Sequence, residues 1–406
     1  MPYPLVPFRR QSQFSLPFLA AAFIALAVLP SHAQAQTYNL LYNFPGGSKG
    51  LQPGNFVVTS NGSILGEASY NNCSCSLLYN YKDGTETVLH RFSEPQGYQE
   101  EVPQGRLLSK NRVTLYGTTM YGGSRSDVCD PGLGCGIVFS YDLTTSKYKM
   151  MHEFKNGPKD GAGPVGTQVL DSTGNLYGLS FGGGTNGKGA FYEITAAGAE
   201  KVLYSFGNAP DGTQPGSGPI SYGGNYYGVT IGGGANTCFN GGCGTIFKIT
   251  PSGKETVLYN FTGGSDGLNP WELIGDSKGN FYGLSKTQDN TTAAVFEINS
   301  AGDFSIAYNG SYVSQIGYII MGKDGSLYSS SSGGDASCEP NGCGQILQLT
   351  PTGGGNGTVT VLHQFDSSDG SLLNPFEDLV FHGGIVYGTT NYGGSSDNGV
   401  IYKLKP

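Results

Sequence analysis

Charge is scarce in this sequence: only 13% of its 406 residues are Asp, Glu, Lys or Arg, and the formal net charge is −8. An acidic chain with few, scattered basic residues carries no electrostatic footprint for nucleic acid or anionic lipid, so neither is an expected partner. Long apolar runs are lacking as well. The longest, Phe18 to Leu29, is too short for a comfortable membrane span. Histidine numbers five and tryptophan one, which leaves little material for a metal–histidine centre or a Ser-His-Asp triad.

The apolar run instead has the flanks of an export signal. Arg9-Arg10 precede it and the small-x-small site Ala33-Gln34-Ala35 follows it, so residues 1–35 read as a signal peptide cleaved after Ala35. Its loss removes two arginines and no acid, making the remainder more acidic. No cysteine adjoins the cleavage site, and the chain stops at Tyr402-Lys403-Leu404-Lys405-Pro406 without an apolar tail. The mature product is expected to be a soluble monomer, periplasmic or outside the cell, with residues 36–406 as one domain.

What the chain has in abundance is glycine, 67 residues, together with 12% aromatics. That balance points to many short strands joined by tight turns. An apolar cassette, typified by Val257-Leu258-Tyr259-Asn260-Phe261, returns seven times, ending at Phe44, Phe92, Phe154, Phe206, Phe261, a degenerate Gly310 and Phe365. A spacing of about 50 residues is the length of one four-stranded propeller blade with its loops. Before each cassette, three other ladders recur. One holds short apolar runs such as Val169-Leu170 and Leu273-Ile274. The second pairs an aromatic with glycine, as in Tyr116-Gly117, Tyr177-Gly178, Tyr227-Gly228, Tyr282-Gly283 and Tyr387-Gly388. Leu65-Gly66 and Tyr328-Ser329 are its variants. The third includes Val138-Phe139, Ile246-Phe247 and Ile401-Tyr402.

Turn residues such as Lys278-Gly279-Asn280 and Pro251-Ser252-Gly253 make the A–B and C–D connections short hairpins. Residues 38–44 form a D-type strand with nothing before it, whereas the C-terminal cassette has A, B and C but no D. Together they complete one blade and close the ring. The expected fold is all-β, a seven-bladed propeller with blades at about 45–92, 93–154, 155–206, 207–261, 262–310, 311–365, and 366–406 plus 37–44. Tandem β-sandwiches, at about 100 residues each, fit the period poorly.

The string Gly174-Asn175-Leu176-Tyr177-Gly178, a glycine-rich loop, the segment Gly244 to Pro251 and the downstream Val257 to Phe261 resemble the choice-of-anchor tandem repeat GloVer family. The resemblance covers nearly the whole mature chain. It implies a secreted bacterial repeat protein with no established reaction, and it supplies no catalytic residues. The family's name refers to variable C-terminal surface anchors, and none is expected for this chain. A more distant similarity is to NHL-type propellers, used mainly for binding.

Eight cysteines fall in four close pairs, Cys73/Cys75, Cys129/Cys135, Cys238/Cys243 and Cys338/Cys343, each in a B–C loop. The pairs of blades 4 and 6 must close locally, since those blades are not neighbours. An exported chain meets oxidising conditions, so disulfides are expected, with the small Cys73–Cys75 ring the most strained. Zinc is the alternative, but the spacings lack a second Cys or His pair.

Long B–C and D–A loops share one end of the ring and form its expected working face. The D–A loops repeat Asp-Gly followed by Pro: Asp160, Asp211, Asp266 and Asp369, with Pro164, Pro215, Pro270 and Pro375. These read as turns whose Asp caps backbone amides and whose Pro opens strand A. Calcium needs several oxygen ligands where each turn has one carboxylate. Aromatics are the candidate ligand platform. Tyr70, Tyr121 and Tyr392 stand four residues past the strand-B glycine in the consecutive blades 1, 2 and 7. Trp271 and Phe376, beside Glu272 and Glu377, begin inner strands. Such rings suit the apolar faces and hydroxyls of sugars.

Catalytic chemistry is harder to find. His90, His152 and His363 share one strand-D position that holds Tyr204 and Tyr259 elsewhere, and His382 lies in an A–B hairpin. Those histidines read as outer-strand packing or surface residues. A single tryptophan is too few for a quinone-dehydrogenase propeller. No metal, no cofactor and no catalytic residue is expected. The reading is a secreted binding module for a polysaccharide or another cell-envelope component, possible partners including an envelope protein. Two alternatives stay open. One is a glycan-active hydrolase or lyase using paired carboxylates, for which Glu67, Asp127, Asp335 and Glu339 could serve. The other is a purely structural envelope protein.

Overall fold

Seven antiparallel sheets of the expected A–B–C–D order form the ring, and their bounds follow the ladders read from the sequence. The computed structural model describes residues 36–406 apart from 71–74, 93–106, 111–112, 125–128, 130–133, 208, 239–240, 289–290, 313–315, 332–341, 367 and 371–378. The expected signal peptide, residues 1–35, lies outside the described residues. Blade 3 shows the pattern in full: Gly161–Leu170, Leu176–Gly183, Ala190–Ile194 and Glu200–Ser205. In blade 4 strand A is split into Gly212–Pro215 and Ile220–Tyr222, both paired to strand B. Closure occurs in blade 7, where Thr37–Asn43 pairs antiparallel with Val400–Lys405.

The apolar core lies between blades. One cluster joins Leu179, Phe191 and Phe206 of blade 3 to Tyr226, Phe247 and Ile249 of blade 4. A single three-residue stack organises each of these layers. On strand C an aromatic faces the strand-B glycine across the sheet: Tyr79 over Gly66, Phe139 over Gly117, Tyr192 over Gly178, Phe247 over Gly228, Phe296 over Gly283 and Tyr402 over Gly388. A Cβ on any of these glycines would fall 2.1–2.6 Å from the aromatic side chain, well inside contact distance. The glycine is therefore the space the ring occupies.

Against that ring, edge to face, packs the terminal Phe of the preceding blade. Phe44 meets Tyr79, Phe92 meets Phe139, Phe154 meets Tyr192, Phe206 meets Phe247, Phe261 meets Phe296 and Phe365 meets Tyr402, with centroids 5.0–5.3 Å apart. Such pairs favour this geometry and add about 0.5–1.5 kcal/mol beyond area burial. The seventh joint, between blades 5 and 6, changes all three members at once. Gly310 stands for the Phe, Leu347 for the ring, and Ser329 for the glycine that no ring now overlies. Tyr308 is buried in that layer beside Leu347, and a Cβ on Gly310 would meet its hydroxyl at 2.6 Å and its ring at 2.7 Å.

Gly228→Ala should destabilise by about 1–3 kcal/mol, the usual cost of overpacking. Adding Phe247→Leu, which sets a small side chain opposite a leucine as Ser329 and Leu347 do, should cost less than the sum of the two single changes. Urea unfolding midpoints decide this, and additivity would contradict the stack.

Candidate functional site

The B–C/D–A end of the ring is held by three repeated polar devices, and the candidate site residues stand among them. In the first, a hydroxyl two residues past the strand-B glycine donates to the carbonyl two residues further on. Thr119, Ser180, Thr230 and Thr390 bond the carbonyls of Tyr121, Gly182, Gly232 and Tyr392. The same hydroxyls accept the first strand-C amides, those of Ile137, Ala190, Thr245 and Val400. The position of Tyr121 and Tyr392 thus has a fixed backbone whichever side chain it carries.

In the second device, the residue before the proline adopts a left-handed conformation: Gln52, Gly163, Gln214 and Asn269, with φ of 47–61°. Its N–H donates at 2.8 Å to a carbonyl of the preceding blade, on Asn398, Cys135, Lys188 and Cys243 respectively. Two of these acceptors belong to disulfides, Cys129–Cys135 and Cys238–Cys243. The cross-links thereby fix the loops onto which the next blade fastens. Cys343 is disulfide-bonded as well, while Cys73, the Cys75 side chain and Cys338 lie outside the described residues. One expectation is corrected here. Pro164 does not open strand A but sits inside it, paired with Ser180, because strand A is an edge strand with no amide needed on its free side.

The third device is the Asp of the D–A loop. Its carboxylate accepts the amide that follows the terminal Phe: Lys155 to Asp160, Gly207 to Asp211, Thr262 to Asp266 and Asp366 to Asp369, at 2.7–3.0 Å. It also takes the strand-D His or Tyr, in His152–Asp160, Tyr204–Asp211, Tyr259–Asp266 and His363–Asp369. The capping role read from the sequence is what the described turns show. The partner across the joint comes from the next strand D, six residues before its terminal Phe. It is Tyr148 stacked on His90, Glu200 on His152, Glu255 near Asp211, Phe304 stacked on Tyr259, and Tyr38 stacked on His363.

Two of these joints bring acids together. Burial opposes charge on His152, but hydrogen bonds and charge from Asp160 and Glu200 outweigh it and push the imidazole up to about 9. Burial, countered in part by His152, raises Glu200 to about 7, while Asp160 is lowered by its hydrogen bonds despite burial. At the next joint no imidazole is present, and burial followed by the charge of Asp211 raises Glu255 to about 7. Sequence reading placed His152 and Asp160 in separate roles and did not single out Glu200. The signal was available in the alignment of the repeats, as an acid recurring at Glu86, Glu200 and Glu255.

The predicted platform separates into three groups. Tyr70 packs against the blade 7–blade 1 core, donates its hydroxyl to the Phe92 carbonyl at 3.1 Å and lies under the Arg91 guanidinium. Trp271 is 9% exposed, packed edge-on to Tyr318 with the Lys286 ammonium 5.4 Å from its ring. Its neighbour Glu272 is buried and accepts the Ile319 amide, so both join the inner strands of blades 5 and 6. Tyr121 and Tyr392 are partly exposed, as Tyr70 is. Phe376, Glu377, Asp127, Asp335 and Glu339 lie outside the described residues, and Glu67 is buried in strand B of blade 1.

Because the folded-state value of Glu255 lies above its ordinary 4.5, its ionisation opposes folding. The favourable protonated form is complete below pH 4.5 and is lost as pH rises through about 7. Glu255→Gln should therefore raise the unfolding midpoint at pH 8 and leave it unchanged at pH 4. Thermal melts at both values check this, and equal shifts at the two would refute it.

No curated protein matches the chain. Among solved structures, a streptogramin B lyase is similar over 91% of this chain and 97% of its own, with a TM-score of 0.54 at 13% identity. An oligogalacturonate lyase from Vibrio parahaemolyticus is similar over 92% and 94%, with a TM-score of 0.56 at 12% identity. Likeness at such identity shows the fold alone. The match to a family model is more specific, since it covers residues 132–317 and describes a Gloeobacter/Verrucomicrobia repeat. That stretch includes the last two strands of blade 2 and all of blades 3, 4 and 5, and there the chain is similar to Gloeobacter/Verrucomicrobia repeats.

Proposed function

We propose that the protein is an exported binding module whose B–C/D–A face takes a polysaccharide or another cell-envelope component without transforming it. The observation that carries this reading is the placement of Tyr121 and Tyr392. Their backbone is clamped by Thr119 and Thr390, yet Gly182 and Gly232 satisfy the same clamp in blades 3 and 4. The fold has no need of an aromatic there, and an aromatic on a loop of fixed backbone suits stacking on a sugar or a peptide. Export is supported by the leader-like residues 1–35 and by two disulfides that fit an oxidising compartment.

The polar groups described on this face are largely engaged in holding blades together, which favours binding over catalysis. Retention of the mature protein on a polysaccharide panel, followed together with reducing ends and unsaturated products, tests the reading. Tyr121→Ala with Tyr392→Ala should weaken retention by about 1–3 kcal/mol and shift stability by less than about 0.5 kcal/mol. Tyr70→Ala should instead lower stability, through its lost packing and hydrogen bond. Product release abolished by substituting one acid would replace binding by catalysis. No retention on any polymer would leave a structural envelope role.

A further inference from the structure

The joint between blades 2 and 3 brings together three side chains that can each ligate a metal. The ligand atoms of His152, Asp160 and Glu200 all lie within 4.8 Å of one another. His152 Nε2 stands 3.2 Å from Asp160 Oδ1 and 3.2 Å from Glu200 Oε2. A tetrahedral zinc ion with bonds of about 2.0–2.1 Å spaces its ligand atoms by about 3.3–3.4 Å, so both distances from the imidazole are close to edges of that tetrahedron.

With protons alone, the one Nε2–H is shared between the two carboxylates or reaches one of them, while a proton bridges Asp160 and Glu200. One dication would engage both carboxylates and the imidazole lone pair together. The second oxygen of each acid is already fixed by main chain, Asp160 Oδ2 by the Lys155 amide at 3.0 Å and Glu200 Oε1 by the Gly161 amide at 3.1 Å. Hydrogen bonds of that kind orient ligands in metal sites. Glu200 is buried, with 5% of its side chain exposed, whereas His152 and Asp160 keep 16% and 17% of theirs exposed, which lets a water reach the cluster as a fourth ligand.

The other described joints sharpen the contrast. Where blades 3 and 4 meet, Tyr204 replaces the imidazole and bonds Asp211 alone. Where blades 4 and 5 meet, Phe304 replaces the second acid, and at blades 6 and 7 Tyr38 does so. Among the described joints, three ligands converge only at blades 2 and 3. One nitrogen and two oxygen donors suit zinc, whereas calcium wants six or more oxygens.

We propose that His152, Asp160 and Glu200 bind a zinc ion that ties the outer strand of blade 2 to the D–A loop and outer strand of blade 3. The test uses the mature protein stripped with chelator and titrated calorimetrically with zinc chloride. Binding of one equivalent, a higher unfolding temperature with zinc, and the intense visible absorption of four-coordinate cobalt(II) on substitution are expected. His152→Tyr installs the residue that stands at this position in blades 3 and 4, so the fold should persist by circular dichroism while zinc affinity falls more than about 10-fold. Glu200→Gln, which keeps an oxygen for the Gly161 amide, should lose affinity likewise. Absence of binding by the parent, or equal affinity in parent and both variants, overturns the site.

Discussion

One contact sets the geometry of this ring: an aromatic side chain of strand C reaching over a strand-B glycine, with the preceding blade's terminal Phe set edge-on against it. The glycine lets the ring sit deep in its own sheet, and the sunken ring leaves a slot that the neighbouring Phe fills. Each blade is thereby completed by the one before it. Buried apolar area is supplied between sheets instead of at a centre, as expected of repeats that cannot bury their faces alone. The joint between blades 5 and 6 supports this account by exception. Once Gly310 withdraws the Phe, the ring becomes Leu347 and the glycine becomes Ser329, while Tyr308 occupies the layer and Trp271 and Glu272 join the inner strands.

Polar chemistry at the loop end follows the same logic. The Asp carboxylates, the left-handed residues before the prolines and the strand-B hydroxyls all satisfy backbone groups that a short-stranded sheet leaves open at its ends. Their repetition around the ring is the mark of scaffold. Departures from repetition are where function is to be sought, and the described loop end offers two: tyrosines where glycine suffices, and an imidazole that meets two acids at one joint.

Much of the fold was legible because glycine, aromatic and turn residues recur with the period of a blade, and because a lone N-terminal strand matches a missing C-terminal one. The pairing of Thr37–Asn43 with Val400–Lys405 follows from that count. The site was less legible for a physical reason. His152, Asp160 and Glu200 come from two strands and a loop of two blades, and the packing of one blade on the next brings Glu200 as well as Asp160 within 3.2 Å of the imidazole. Periodicity along the chain says little about which residues meet across a joint. Trp271 illustrates the same gap, since its place at the start of an inner strand looked open yet is covered by Tyr318 and Lys286 of two different blades.

The dependence of the ring on ring-to-ring contact between blades is tested most directly by a double-mutant cycle on Phe206 and Phe247, 5.0 Å apart across the blade 3–4 joint. Equilibrium unfolding of Phe206→Leu, Phe247→Leu and the double variant should yield a coupling of about 0.5–1.5 kcal/mol. Losses that simply add would show that the blades are held together by something other than these rings.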